Sequence, residues 1–139
     1  MLLSSLLIAA SATVAGVLGC IHMLYTFHGN KLHPRDPAVR DAMKADTPLI
    51  TRQTTVWRAT KGFNASHSLG VILFAAVYIY LAGWQAGFLQ ASAFLLGLGM
   101  ATLLTYLALA KAYWFSIPFR GIALACVLYA AGLAAMALA

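Results

Sequence analysis

Two histidines and an asparagine stand in segments of the chain that are otherwise apolar. His22 lies near the end of the first apolar segment, and Asn64 and His67 lie in the stretch "GFNASHSLG" at the start of the second. Imidazole rings and a carboxamide both donate and accept hydrogen bonds, and paired histidines can hold a cofactor between helices. A histidine inside a membrane-spanning segment is costly, so it indicates a side chain that faces protein or a polar cavity.

The spacing of these residues predicts that they lie at a similar depth. His67 follows Lys61 by six residues, which is roughly 9 Å along a helix from the charged boundary, and His22 stands equally near the end of its own segment. Asn64 is three residues before His67, and Tyr25 is three residues after His22, so each pair shares a helical face. We therefore expect one site that comprises these four residues.

Two arginines are candidates for adding positive charge to this site. Arg58 precedes the second apolar segment, and Arg120 stands at the end of the aromatic stretch "KAYWFSIPFRG". That stretch suits an aromatic belt at the membrane interface. Alternatively it closes over the histidines, in which case Arg58 or Arg120 could pair with an anionic headgroup or a carboxylate.

The histidine pair has two interpretations that stay open. Neutral imidazoles bonded to Asn64, Tyr25 or a backbone carbonyl would fix the register of two helices without doing chemistry. The other interpretation is a ligand or haem site, although haem bundles often use several histidines at two depths and this chain has one such pair. We expect no metal site and no resident cofactor, and we assign no catalytic residue.

Other chemistry is disfavoured by what the apolar segments lack. They contain no Asp or Glu, which disfavours a proton-coupled transporter. Cys20 and Cys126 do not form a CxxC pair, and a lone cysteine in an apolar segment usually packs as a small apolar side chain. The sequence therefore carries no positive signature of an enzyme.

The helices that position these residues can be predicted from the segments that contain no charged residue. The chain is 63% hydrophobic, and it has no charged residue before Lys31, between Lys61 and Lys111, or after Arg120. Because a helix needs roughly 20 residues to cross a bilayer, the uncharged blocks predict an all-α membrane protein that is a four-transmembrane-helix bundle in one domain. The turn signal "GWQAG" divides the long middle block. The predicted membrane helices are approximately residues 2–27, 62–83, 88–110 and 121–139, and the predicted loops are 28–61 and 111–120.

Orientation follows from the cations. Seven of the nine Lys and Arg residues lie in the loop 28–61, and the other two lie in the loop 111–120. By the positive-inside rule both loops face the cytoplasm and both termini face outward. A cleaved leader ending near Cys20 is disfavoured because it would lack a basic start and because the apolar run continues past that residue.

The first loop contains two helix-start signals. Asp36 followed by Pro37 predicts a short amphipathic helix over residues 37–45. Thr47 followed by Pro48 repeats the pattern, so we expect a second helix to begin near Pro48 and continue into the second membrane helix.

Small residues recur in the first and fourth predicted helices, for example around Gly16 and Gly132, and in "LGLGM" of the third. In lipid such faces allow close approach of helix backbones, either within the bundle or against a neighbouring subunit. The segments "LYTFHGNKLHPRDP", "ITRQTTVWRATKGFNASHSLG" and "YWFSIPFRGIALA" together resemble an uncharacterised family of small four-helix bacterial inner-membrane proteins, over nearly the whole chain. The resemblance implies the fold and a bacterial inner (plasma) membrane, and it implies no activity.

We therefore expect an accessory or structural membrane subunit, or a homo-oligomer, that packs through its Gly and Ala faces. The expected partners are membrane lipids and other membrane subunits or itself, with no nucleic acid. The alternative is a binding protein or enzyme with a cytoplasmic-side pocket, formed by His22, Asn64 and His67, for a lipid, a quinone or haem.

Overall fold

The computed structural model describes residues 2–138, and their regular structure is entirely helical. Four of the helices are long and apolar enough to cross a membrane: Leu2–Phe27, Val56–Trp84, Ala93–Tyr113 and Ser116–Ala137. The predicted all-α membrane fold with four spanning helices is therefore confirmed. The helices are α1 (Leu2–Phe27), α2 (Pro37–Ala45), α3 (Val56–Trp84), α4 (Ala86–Ala91), α5 (Ala93–Tyr113) and α6 (Ser116–Ala137).

Contacts within the chain divide it into two compact units. The first, here called the bundle unit, comprises the chain up to Leu18 and from Val71 onward. The second, here called the polar unit, comprises Gly19–Gly70. The bundle unit thus holds the first part of α1, the second part of α3, and α4, α5 and α6.

Glycine contacts bring the helices of the bundle unit close together. A Cβ atom added at Gly16 of α1 would lie 2.7 Å from the Cβ of Ala75 on α3, and one added at Gly132 of α6 would lie 2.9 Å from Cγ1 of Ile8 on α1. Such distances leave no room for a larger residue, so these glycines are already used in packing inside the chain. Around them lies a core of fully buried side chains that includes Ile8, Leu89, Leu103, Ile122 and Tyr129.

Buried hydroxyl groups tie the same helices together. Ser11 Oγ on α1 donates a hydrogen bond to the carbonyl oxygen of Ala125 on α6 at 2.6 Å. Tyr129 Oη on α6 donates to the carbonyl oxygen of Leu96 on α5 at 3.1 Å. Interhelical bonds of this kind stabilise bundles in lipid, where burial of apolar surface drives no association.

In the polar unit, α2 begins as the sequence predicts. Asp36 Oδ1 accepts a hydrogen bond from the backbone N–H of Ala38 at 2.8 Å, and Pro37 occupies the first turn. The prediction of a helix starting near Pro48 is wrong. The backbone N–H of Thr51 bonds to the carbonyl of Pro48 in a turn, and α3 begins only at Val56. The N-cap is then Thr55, whose hydroxyl accepts from a backbone N–H of the first turn.

The connection between α5 and α6 is much shorter than the predicted loop 111–120. Only Trp114 and Phe115 lie between the two helices. Pro118 falls within the first turn of α6, where its missing N–H has no helical partner to lose. The predicted loop is longer because cations were used as its boundaries, whereas Lys111 and Arg120 lie inside the ends of α5 and α6. A long basic side chain near the end of a membrane helix can extend to the polar headgroups.

Candidate functional site

The end of α1 and the beginning of α3 bring three of the predicted site residues together in the polar unit. His22 Nε2 lies 3.3 Å from Asn64 Oδ1. The rings of His22 and His67 stand nearly perpendicular, at 83°, with centroids 5.5 Å apart. All three side chains are partly buried. We call these residues the histidine cluster.

The chemistry of the cluster depends on the tautomer of His22. When Nε2 carries the proton, the imidazole donates to the amide oxygen of Asn64. The amide nitrogen of Asn64 then keeps two N–H donors that do not take part in that bond. The cluster can therefore present hydrogen-bond donors to a ligand oxygen while its own contact stays intact.

Two buried hydroxyl groups next to the cluster were missed by the sequence analysis. Thr26 Oγ1 donates to the carbonyl oxygen of His22 at 2.8 Å, and Ser68 Oγ donates to that of Asn64 at 2.9 Å. Both bonds run four residues back along the same helix. Ser and Thr hydroxyls commonly bond to the carbonyl four residues earlier in a helix. The positions of Thr26 and Ser68, four residues after His22 and Asn64, were therefore the available signal. These hydroxyls bond within their own helices, so the polar contact between α1 and α3 at this level is made by the side chains of His22 and Asn64.

The other predicted site residues lie elsewhere. The ring of Tyr25 lies under Lys31, whose Nζ is 5.3 Å from the ring centroid. Arg58 is exposed on α3, and Arg120 is exposed on α6 in the bundle unit. The role of these three residues at the site stays a prediction.

Cations and aromatic rings meet repeatedly in the polar unit. Lys61 Nζ lies 5.7 Å from the ring centroid of Phe27, and Lys44 Nζ lies 5.7 Å from that of Trp57. The ring of His33 also contacts Trp57, with centroids 4.9 Å apart. Contacts between cations and aromatic faces are attractive, and Trp and Tyr are typical of headgroup depth in a membrane.

The histidine cluster contains two side chains of the types that commonly bind metal ions, His22 and His67. Among the described residues, no group of three or more His, Cys, Asp or Glu side chains is placed to hold a metal ion. Cys20 is an exposed thiol on α1, and Cys126 is a buried thiol on α6. Structural sites for zinc usually have four protein ligands, and catalytic sites usually have three. The binding of haem at the histidines stays a prediction.

An open cleft near the start of α2 is the second feature that the sequence analysis missed. Its volume is about 420 Å³. The chain turns at Gly29, whose φ is +79°, and the backbone N–H of His33 then bonds to the carbonyl of Asn30 at 3.0 Å. Gly29 and the two following prolines were the available signal for a chain reversal. The residues that line the cleft are Asn30, Lys31, His33, Pro34, Arg35, Pro37 and Arg40.

Comparison with other proteins adds nothing to this geometry. No protein-family model, curated protein or solved structure matches the chain. The resemblance to small four-helix bacterial inner-membrane proteins therefore stays a prediction. Any functional proposal rests on the contacts of the chain itself.

Proposed function

We propose that this integral membrane protein binds the polar head of an apolar ligand, of the lipid or quinone class, at the histidine cluster. The observation that carries the proposal is the contact of His22 with Asn64 at 3.3 Å, with the ring of His67 beside it. Polar side chains that meet inside an apolar segment are a functional-site hypothesis by default. We propose binding and not catalysis, because the sequence carries no positive signature of an enzyme.

The surroundings of the cluster suit a ligand with a hydrocarbon tail. Ile21, Phe63 and Leu69 are exposed apolar residues on the same helix turns as the cluster. A carbonyl, ester or hydroxyl oxygen could accept from the imidazole and amide N–H groups, while the tail lies along these side chains. Haem is a less favoured ligand, because haem bundles often use several histidines at two depths and this chain has one such pair.

The ligand content of the purified protein tests this proposal. We expect quinone or lipid extracted from Asn64→Leu or His67→Phe protein to fall roughly threefold to tenfold for each hydrogen bond removed. Mass spectrometry of the extract gives the ligand, and an absorption spectrum reports haem. Ser66→Ala is the matched control, because the Ser66 hydroxyl is exposed and bonds only to the carbonyl of Phe63. Equal ligand content in all four proteins would exclude a binding role for the cluster.

We also propose that the protein lies in a bacterial inner membrane with both loops in the cytoplasm. The support is the distribution of cations: all nine stand between Lys31 and Lys61 or at the junction of α5 and α6. With four crossings, the loop 28–61 and the junction of α5 and α6 would lie on the same side of the membrane. A reporter enzyme that is active only outside the cytoplasm, fused after residue 138, should be active, and the same reporter inserted near Arg52 should be inactive. The reverse pattern contradicts the orientation.

A second candidate function is that of an accessory subunit or homo-oligomer. The observation that favours it is on α5, where four small residues spaced four apart are all exposed: Ala93, Gly97, Ala101 and Thr105. Only 17% of the residues in the α5 span are buried, compared with at least 28% in each of the other three. Since the faces of Gly16 and Gly132 are filled within the chain, this α5 face is the better candidate for close packing with another helix.

The size of the particle in lipid nanodiscs tests this second candidate. We expect Gly97→Leu to dissociate an oligomer or release a copurified subunit, while leaving the ligand content at the histidine cluster unchanged. Gly83→Leu is the control, because a Cβ at either glycine meets no atom within 4 Å and the chain itself should tolerate both changes. A wild-type protein that is monomeric and copurifies with no other protein would exclude this candidate without affecting the first.

A further inference from the structure

We infer that the cleft formed by residues 30–40, here called the cationic cleft, binds a phosphate group. The inference does not depend on the histidine cluster, because it uses different residues and a different ligand chemistry. The source of the phosphate is either the headgroup of an anionic phospholipid or a soluble phosphorylated molecule. Both present the same oxygen atoms to the cleft.

The lining of the cationic cleft consists of hydrogen-bond donors and positive charge. Lys31, Arg35 and Arg40 supply three cations, and Asn30 and His33 supply N–H groups. None of the residues that line the cleft carries a carboxylate. The volume of about 420 Å³ lies within the range of small-molecule sites. Guanidinium groups bind phosphate with paired N–H donors, and lysine binds it as a point charge.

The nearby carboxylates are engaged outside the cleft. Asp36 accepts from the backbone N–H of Ala38 and so caps α2. Asp41 accepts from Arg40 Nε at 3.3 Å, and Lys44 Nζ lies 3.8 Å from the same oxygen. Arg40 uses only Nε for this contact, so the two terminal nitrogens of its guanidinium group can still donate toward the cleft. The positive potential of the lining is therefore only partly neutralised.

Aromatic contacts hold two walls of the cleft at the ends of membrane helices. Lys31 lies over Tyr25, the third residue from the end of α1. His33 contacts Trp57, the second residue of α3. Tyrosine and tryptophan at helix ends favour headgroup depth, where the phosphates of phospholipids lie. The cleft thus combines the charge, the donors and the depth that a phospholipid phosphate requires.

Native mass spectrometry of protein released from nanodiscs tests the inference with phosphatidylglycerol as the probe. We expect Arg35→Gln/Arg40→Gln protein to retain roughly 25-fold less phosphatidylglycerol than wild type, at roughly fivefold per cation. The matched control is Arg52→Gln/Lys111→Gln, which removes the same charge from exposed positions outside the cleft. The control protein should retain the lipid as wild type does.

A second arm uses a soluble probe and identifies the source of the phosphate. Inorganic phosphate is added to delipidated wild-type protein in detergent, and the unfolding temperature is compared with that in chloride at equal ionic strength. A rise with phosphate that is absent in the cleft variant supports the site with a soluble ligand, whereas lipid retention without such a rise supports it with phospholipid. The inference is overturned if the cleft and control variants behave alike, or if wild type responds to neither probe.

Discussion

The bundle unit and the polar unit are stabilised by different interactions. In the bundle unit, glycines and fully buried side chains pack tightly, and hydroxyls such as that of Ser11 bond to backbone carbonyls of other helices. In the polar unit, ring contacts such as His22–His67 and cation–aromatic pairs such as Lys61–Phe27 predominate. All four histidines, all three acidic residues and seven of the nine cations belong to the polar unit.

The difference indicates where function should be sought. In the bundle unit the hydroxyls of Ser11 and Tyr129 already bond to carbonyls of other helices, so a ligand at these groups would have to replace an internal bond. The polar unit instead has partly exposed donors, at the histidine cluster and in the cationic cleft. The two ligand-binding proposals therefore concern residues 19–70, and we expect the bundle unit to be more sensitive to steric change.

We expect the largest loss of stability when a single methyl group is added inside the bundle unit. A Cβ at Gly99 would come into severe overlap with Tyr129 Oη and would lie 2.7 Å from Cε1 of Tyr78. We expect Gly99→Ala to lower the free energy of unfolding by about 1–3 kcal/mol, as overpacked cores do. Gly97→Ala, two residues away, is the control, because a Cβ there meets nothing within 4 Å. Thermal unfolding in one detergent measures both, and equal stability of the two variants contradicts tight packing at Gly99.

A smaller effect is expected from the tyrosine that Gly99 contacts. Tyr129→Phe removes the hydroxyl that donates to Leu96 at 3.1 Å, and we expect a loss of about 1 kcal/mol. The same change removes the atom nearest to a Cβ at Gly99, so the Gly99→Ala/Tyr129→Phe protein should be more stable than the sum of the single losses predicts. A double-mutant cycle of unfolding temperatures checks the coupling. Strict additivity would show that the clash lies elsewhere.

The smallest effect is expected in the polar unit. Lys61→Gln removes the cation over Phe27, and we expect about 0.5 kcal/mol because the contact is only partly withdrawn from solvent. The loss should shrink with added salt to the extent that exposed charges are screened. Lys61→Arg should retain most of the contact, since guanidinium also stacks on aromatic rings. If Lys61→Gln lowered the free energy of unfolding as much as Gly99→Ala does, the two units would not differ in their sensitivity to substitution.

Much of the fold could be predicted from single residues. Charge positions gave the number of spanning helices, and the Asp36–Pro37 pair gave the start of α2. The Thr47–Pro48 pair failed because the same residues suit a turn, and only the contacts of the following segment decide between turn and helix. The positions of His22 and His67 near the ends of their apolar segments were enough to predict a similar depth, and their ring centroids lie 5.5 Å apart.

The sequence by itself determined which segments form helices long and apolar enough to cross a membrane, since this depends on where charge is absent and on a constant helical rise. Only the tertiary structure decided that the faces of Gly16 and Gly132 are filled within the chain while Gly97 is left exposed. The physical reason is that lipid is as apolar as a protein core. A membrane helix can therefore be apolar on every side, and its sequence has no polar stripe to show which face packs.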